Sequence, residues 1–330
     1  MINTKFQINH VAIYALVLLG LILVFVLSTL SSKPMFAFQN YPCQQPSSTS
    51  TPADPTVVGD ELETALAGVS TENKTVIIAV VNKAYVEGGD DKPLLDLFLD
   101  SFWLGEGTRG LVDHLLLVTV DQTSYERCRF LRLHCYKLKT DGVDFDGEQL
   151  YMSQDFINMM WRRTLFLLDV LKRGYSFIFT ISTDQFNGND QSESNNINTG
   201  FYMIKSNNRT ISLFESWYDR RINSTGLKEQ DVLVNMLHEG VFRELGLNVR
   251  FLNTLYFSGF CQDSRDIKAV STVHANCCRT ISAKVADLTA VIQHWKRFQN
   301  SATGETAAAT YGMLKHDACS GSWKDFIFGK

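Results

Sequence analysis

The segment Ser153-Gln-Asp-Phe-Ile-Asn-Met-Met-Trp-Arg-Arg-Thr-Leu-Phe-Leu-Leu-Asp-Val-Leu-Lys-Arg-Gly-Tyr-Ser-Phe-Ile-Phe-Thr180 holds both halves of an α/β unit. The Ser153 hydroxyl can cap a helix start, and Met159, Met160, Trp161, Leu165, Leu168 and Leu171 recur at helical spacing along one apolar face. Gly174 has the place of a helix-ending C′ residue, and the apolar run from Tyr175 to Thr180 then reads as a buried strand. Upstream, Thr75-Val-Ile-Ile-Ala-Val-Val81 reads as a buried parallel strand, followed by a polar loop from Asn82 to Asp91. Pro93 opens a helix with an apolar stripe of Leu94, Leu95, Leu97, Phe98 and Phe102. Leu115 to Val120, ending in Asp121, is a second strand, and Cys135-Tyr-Lys-Leu138 a weaker third. This alternation predicts a doubly wound α/β fold with a mostly parallel central sheet, in which ligands collect at the carboxyl ends of the strands.

Outside this domain the composition changes twice. Val11 to Leu30 is a run of 20 residues without a charged side chain. At about 1.5 Å per residue it just spans a hydrocarbon core of about 30 Å, and it reads as an uncleaved signal-anchor. Five of the six prolines, Pro34, Pro42, Pro46, Pro52 and Pro55, follow in a Ser/Thr-rich stretch. That composition predicts an extended stem. The expected organisation is a cytosolic tail (1–10), a transmembrane helix (11–30), a stem (31–70) and a lumenal domain (71–330). The sequons at Asn73, Asn208 and Asn223 lie beyond the anchor, where a lumenal domain would carry them. Seven cysteines in an oxidising lumen predict structural disulfides, and the odd count leaves one over. Cys261, His274, Cys277 and Cys278 also allow a zinc cluster, with disulfides the favoured reading. The balance of 31 Lys+Arg against 35 Asp+Glu argues against a nucleic-acid partner held by a basic surface. No Gly-x-Gly-x-x-Gly and no phosphate-binding P-loop are present, which disfavours a dinucleotide enzyme or an NTPase.

Seven blocks carry a resemblance, strung in order between residues 94 and 278: Leu94-Leu-Asp-Leu-Phe-Leu-Asp-Ser-Phe102, Met159-Met-Trp-Arg-Arg163, Gly174-Tyr-Ser-Phe-Ile-Phe-Thr180, Ile197-Asn-Thr-Gly-Phe201, Glu229-Gln-Asp-Val232, Tyr256-Phe-Ser-Gly-Phe-Cys261 and His274-Ala-Asn-Cys-Cys278. In them the chain resembles the plant nucleotide-diphospho-sugar transferase domain proteins of glycosyltransferase family 77, Golgi type II enzymes of the GT-A fold. The resemblance implies retaining transfer of a pentose or hexose from a nucleotide sugar to a cell-wall glycan or glycoprotein. It also implies Mn²⁺ or Mg²⁺ bridging the diphosphate, held by an Asp-x-Asp at the end of the central strand.

That carboxylate pair is missing at the expected place. Thr180 runs directly into Ile181-Ser-Thr-Asp-Gln-Phe-Asn-Gly188, which the family places later, so the metal-binding turn reads as deleted. The literal Asp144-Phe145-Asp146 follows no apolar strand and reads as a solvated loop, and Asp184 reads as a turn residue. By the resemblance, Asp231 is the candidate for catalysis or acceptor positioning, Gln230 accompanies it, Asn198 and Gly200 contact the sugar, and His274 completes a metal shell. Each has a plainer alternative: an N-terminal charge on a helix from Val232 to Leu245 for Asp231, a turn for Asn198 and Gly200, a hydrogen-bonded core residue for His274. Of Arg162 and Arg163 at most one faces the diphosphate, and Asn82 and Asp121 are nucleotide contacts by fold position. Two functions remain open: an impaired glycosyltransferase, or a non-catalytic subunit that binds an acceptor or an active paralogue.

Overall fold

The structure, a computed structural model, describes residues 60–89, 91–145, 147–180, 197–300 and 312–328. The apolar run 11–30, the stem up to residue 59, Cys43, Asp146 and the junction at 181 with Asp184 lie outside them. The elements are α1 (Glu61–Val69), β1 (Thr75–Val81), the single turn α2 (Lys83–Val86), α3 (Leu94–Leu104), β2 (Leu115–Thr119), α4 (Gln122–Phe130), β3 (His134–Lys137), α5 (Gln154–Lys172) and β4 (Ser176–Thr180). After residue 196 come β5 (Tyr202–Ile204), α6 (Asn208–Asp219), α7 (Glu229–His238), α8 (Val241–Glu244), β6 (Phe257–Gly259), β7 (Thr272–His274), α9 (Ile281–Asn300) and α10 (Asp317–Phe328).

The five-stranded sheet has the order β3-β2-β1-β4-β5, with β5 alone antiparallel. Side chains alternate between its faces, as strand geometry requires. Val76, Ile78, Leu116, Val118, Phe177 and Phe179 join a core built by α1, α5, α6 and α7. Ile77, Ala79, Val81, Leu115 and Leu117 pack under Leu95 of α3 and Cys128 of α4. Both faces are covered, which is why these strands read as unbroken apolar runs. From β1 the chain winds outward through β2 to β3, and α5 then carries it back to the other flank of β1. The order therefore reverses between β1 and β4, and a crevice opens at their carboxyl ends. The expected α/β fold is present, and it fits a GT-A-like arrangement.

The boundaries differ from the expected ones in two places. Residues 60–70, expected in the stem, are part of the domain: Asp60 caps α1 by accepting from the Leu62 and Glu63 amides, and α1 buries Leu62, Leu66 and Val69 in the core. The helix expected from Val232 to Leu245 is two helices, broken at Gly240, whose φ of 87° is left-handed backbone that glycine adopts without strain. Ser153 accepts from the Phe156 amide and Gly174 has φ 82°, as their sequence positions predict.

Three disulfides, Cys128–Cys135, Cys261–Cys277 and Cys278–Cys319, take up the six described cysteines and decide against the zinc cluster. The third ties α10 to the turn before α9. Asn73, Asn208 and Asn223 are all exposed. Among the described residues no helix is long and apolar enough to cross a membrane.

Candidate functional site

A cavity of about 420 Å³ opens beside the crevice at the carboxyl end of β1. Its wall takes Val81 from the end of β1 and Asn82 just after it, Arg163 from α5, Lys228, Gln230 and Asp231 from the start of α7, Arg279 from the turn before α9 and Lys284 from its first turn, and Trp323 from α10. Five chain segments far apart in sequence thus meet at the carboxyl end of the sheet.

Asn82 is 6% exposed, and its amide nitrogen donates to the carbonyls of Phe145 (2.8 Å) and Gly147 (2.6 Å), fixing that loop as a rim of the cavity. Its Oδ1 is buried on the cavity wall and has no partner among the described residues. Asp121 does different work. Its two oxygens accept from the Lys83 amide (2.6 Å) and the Ser124 amide (2.7 Å), so it caps α4 and clamps the ends of β1 and β2 together, outside the cavity wall. Arg163 is the arginine that faces the cavity. It is buried, pairs with Glu229 at 2.6 Å and lies 4.9 Å over the Phe179 ring. Arg162 turns the other way, donating to the Lys139 carbonyl and pairing with Asp141 at 3.0 Å.

The start of α7 organises the neighbouring residues. Glu229 accepts from Arg163 and from the Thr199 hydroxyl (2.8 Å), and Gln230 accepts the Thr199 amide (3.0 Å). Thr199 is thereby locked between Asn198 and Gly200. The Asn198 side chain accepts from the Gly200 amide at 2.6 Å. A Cβ on Gly200 would stand 2.6 Å from His274 Cε1 and 2.8 Å from Asn198 Oδ1, so the imidazole lies directly against bare backbone. Asn198, Gly200 and His274 therefore form one cluster, joined to the cavity through Thr199 and Gln230 but outside its wall. Asp231, the third residue of α7, is on the wall. Burial pushes its carboxyl above the ordinary 3.8, against the opposing pull of Lys228. Asp144 is exposed. Among the described residues no three His, Cys, Asp or Glu side chains converge as metal ligands.

Sequence reasoning missed much of the basic lining. Lys228 and Lys284 are each 5% exposed, and Arg279 is stacked between Trp323 (3.6 Å) and Tyr151 (4.0 Å). Trp323 is held by donating Nε1–H to the Cys277 carbonyl at 2.7 Å. Glu148 accepts the Ile281 amide at 2.8 Å and so caps α9. Burial also raises the Tyr85 phenol on the same wall. The adjacent cysteines were a local signal for Arg279, since their two disulfides pin the residue that follows them. Nothing local marked Trp323.

The sequence profile of the nucleotide-diphospho-sugar transferases matches residues 110–181 and 179–288. An uncharacterised Arabidopsis thaliana protein is 55% identical over 290 residues, covering 81% of this chain and 85% of the relative. A second uncharacterised Arabidopsis thaliana protein is 41% identical over 251 residues, covering 72% and 68%. No solved structure matches the chain. With a cavity at the strand-order reversal of a doubly wound sheet, and a profile that spans the strands and helices around it, the chain belongs to the nucleotide-diphospho-sugar transferase family.

Proposed function

We propose that the chain is a glycosyltransferase-like protein whose nucleotide-sugar donor lodges its diphosphate in the cavity beside β1. The observation that carries this is the gathering of Arg163, Lys228, Arg279 and Lys284 on one cavity wall at a sheet edge that suits nucleotides. Guanidinium and ammonium groups match phosphate oxygens in geometry and charge. Asn82, with a buried acceptor on the same wall, is the candidate contact to the nucleoside. Asp231 is the candidate for proton handling or acceptor positioning, since it stands on the cavity wall with its pKa raised by burial. The cluster of Asn198, Gly200 and His274 borders the place where the sugar would follow. The finer expectations are part of the same proposal: a pentose or hexose, retained configuration, a cell-wall glycan or glycoprotein acceptor, and a Golgi membrane position through residues 11–30.

A second reading, a binding or partner subunit without transfer activity, is favoured by the sequence after Thr180. Residues 181–196 contain Asp184, Asp190 and Glu193 but no Asp-x-Asp. The two parts of the profile match meet at 179–181, which supports a deletion at that point. Calorimetry on the full-length chain with uridine and guanosine diphosphate sugars, followed by assay of their hydrolysis, tests both readings. Saturable binding with turnover favours the transferase, binding without turnover favours the subunit, and no binding at all overturns the assignment of the cavity.

A further inference from the structure

We propose that a second cavity, bounded by α5 and by the turn that follows α6, seats the first sugars of an N-linked glycan carried by Asn223. The inference rests on the lumenal orientation proposed above and is independent of the nucleotide-sugar reading. The cavity measures about 470 Å³, within the range of small-molecule sites. Its wall takes Trp161, Arg162 and Leu165 from α5 and Tyr218 from the last turn of α6. It continues through Arg221 and Ile222 of the 3₁₀ turn Arg220–Asn223 and through Ser224 and Thr225 after it.

Asn223 is therefore joined to this cavity on both sides. The residue before it and the two after it line the wall, Asn223 itself is exposed, and Thr225 completes the acceptor tripeptide Asn223-Ser-Thr. In a lumen, an oligosaccharide transferase bonds the side-chain nitrogen of such an asparagine to the anomeric carbon of a lipid-linked oligosaccharide, the nitrogen gives up a proton, and the lipid pyrophosphate leaves. The attached sugar then needs little affinity of its own to occupy the cavity, because the tether replaces a bimolecular encounter with an intramolecular one.

The wall offers what an N-acetylhexosamine can use. Ile222 is 73% exposed, an apolar surface left open next to the acceptor, and the C–H face of a pyranose ring can cover it. Arg162 supplies the polar partner. Its side chain is 14% exposed, and its terminal nitrogen donates to the Lys139 carbonyl and pairs with Asp141 at 3.0 Å. Its Nε is buried without a partner among the described residues. An orphaned donor on a cavity wall is satisfied by an acceptor that enters, and the acetamido carbonyl and the hydroxyls of the first sugar are such acceptors. The Arg221 guanidinium lies 3.8 Å over the Tyr218 ring, so this planar pair is ordered before any sugar arrives and loses little freedom when one does.

The test uses the full-length chain from a plant host and a peptide N-glycosidase active on plant glycans, with release followed at each site by mass spectrometry. Asn223 should be occupied. Under native conditions its glycan should be released about tenfold or more slowly than those at Asn73 and Asn208, and the difference should vanish after denaturation. Ile222→Ser removes apolar cover and leaves the acceptor tripeptide intact, so it should speed native release at Asn223 about threefold or more. An unmodified Asn223 beside modified Asn73 and Asn208 would overturn the inference and leave the orientation standing, whereas no glycan at any of the three would remove both. Equal native release rates would also overturn it, and binding of free N,N′-diacetylchitobiose to Asn223→Gln would then assign the cavity to a glycan of another molecule. Protection unchanged by Ile222→Ser would move the glycan off this wall.

Discussion

Gly200 has no room for a side chain, and the obstacle is His274. A methyl there meets the imidazole at 2.6 Å and the Asn198 side-chain Oδ1 at 2.8 Å. Gly200→Ala should therefore destabilise the chain by about 1–3 kcal/mol in urea unfolding, the usual cost of overpacking, and His274→Ala in the same chain should return most of it. Additive losses in the double variant would show that the two residues are not coupled. Asn198, Gly200 and His274 were legible as candidates from short matching blocks, but their mutual contact was not. Asp231 offers a test through pH. Its folded pKa is raised by burial above the unfolded 3.8, so its contribution to stability is full below 3.8 and is lost as pH rises through the folded value. Asp231→Asn removes that loss. Melting temperatures of variant and native chain should diverge in the variant's favour as pH rises from about 3.8 and run parallel above the folded pKa. A constant difference over the whole range would mean that the carboxyl titrates normally.

Elements declared themselves where one local rule dominated. α5 begins at a serine cap, shows one apolar stripe and ends at a left-handed glycine, and each signal acts within a turn or two. The strands β1, β2 and β4 are runs of apolar residues with no competing pattern. α1 was hidden because it follows a stem-like composition and is only nine residues long, too short to persist without tertiary packing. Leu66 is fully buried in the main core. Leu66→Ala should cost about 2–5 kcal/mol by chemical denaturation. A chain starting at residue 71 should be less stable than one starting at residue 57. Equal stability of the two would return α1 to the stem. The break at Gly240 escaped for a related reason: the apolar spacing continues across it, whereas the backbone does not.

At the scale of the whole molecule, the proposed lumenal orientation makes a prediction that needs no knowledge of the ligand. Asn73, Asn208 and Asn223 are exposed on the folded domain. Glycosidase treatment of the full-length chain from a plant host should increase its electrophoretic mobility. An unchanged band, with the domain digested by protease from the cytosolic side of sealed vesicles, would reverse the orientation. The amino-acid sequence by itself determined the strand–helix alternation, the doubly wound class, the family blocks and the expectation of disulfides. Those follow from apolar period, capping chemistry and composition, which act over a few residues. Only the tertiary structure decided which arginine of Arg162 and Arg163 meets the cavity, which cysteines pair, and that Lys228, Arg279, Lys284 and Trp323 close around one space. These residues come from segments separated by most of the domain. What brings them together is the packing of α5, α7, α9 and α10 and the closure of long loops, an energy shared among distant contacts that no short stretch of sequence records.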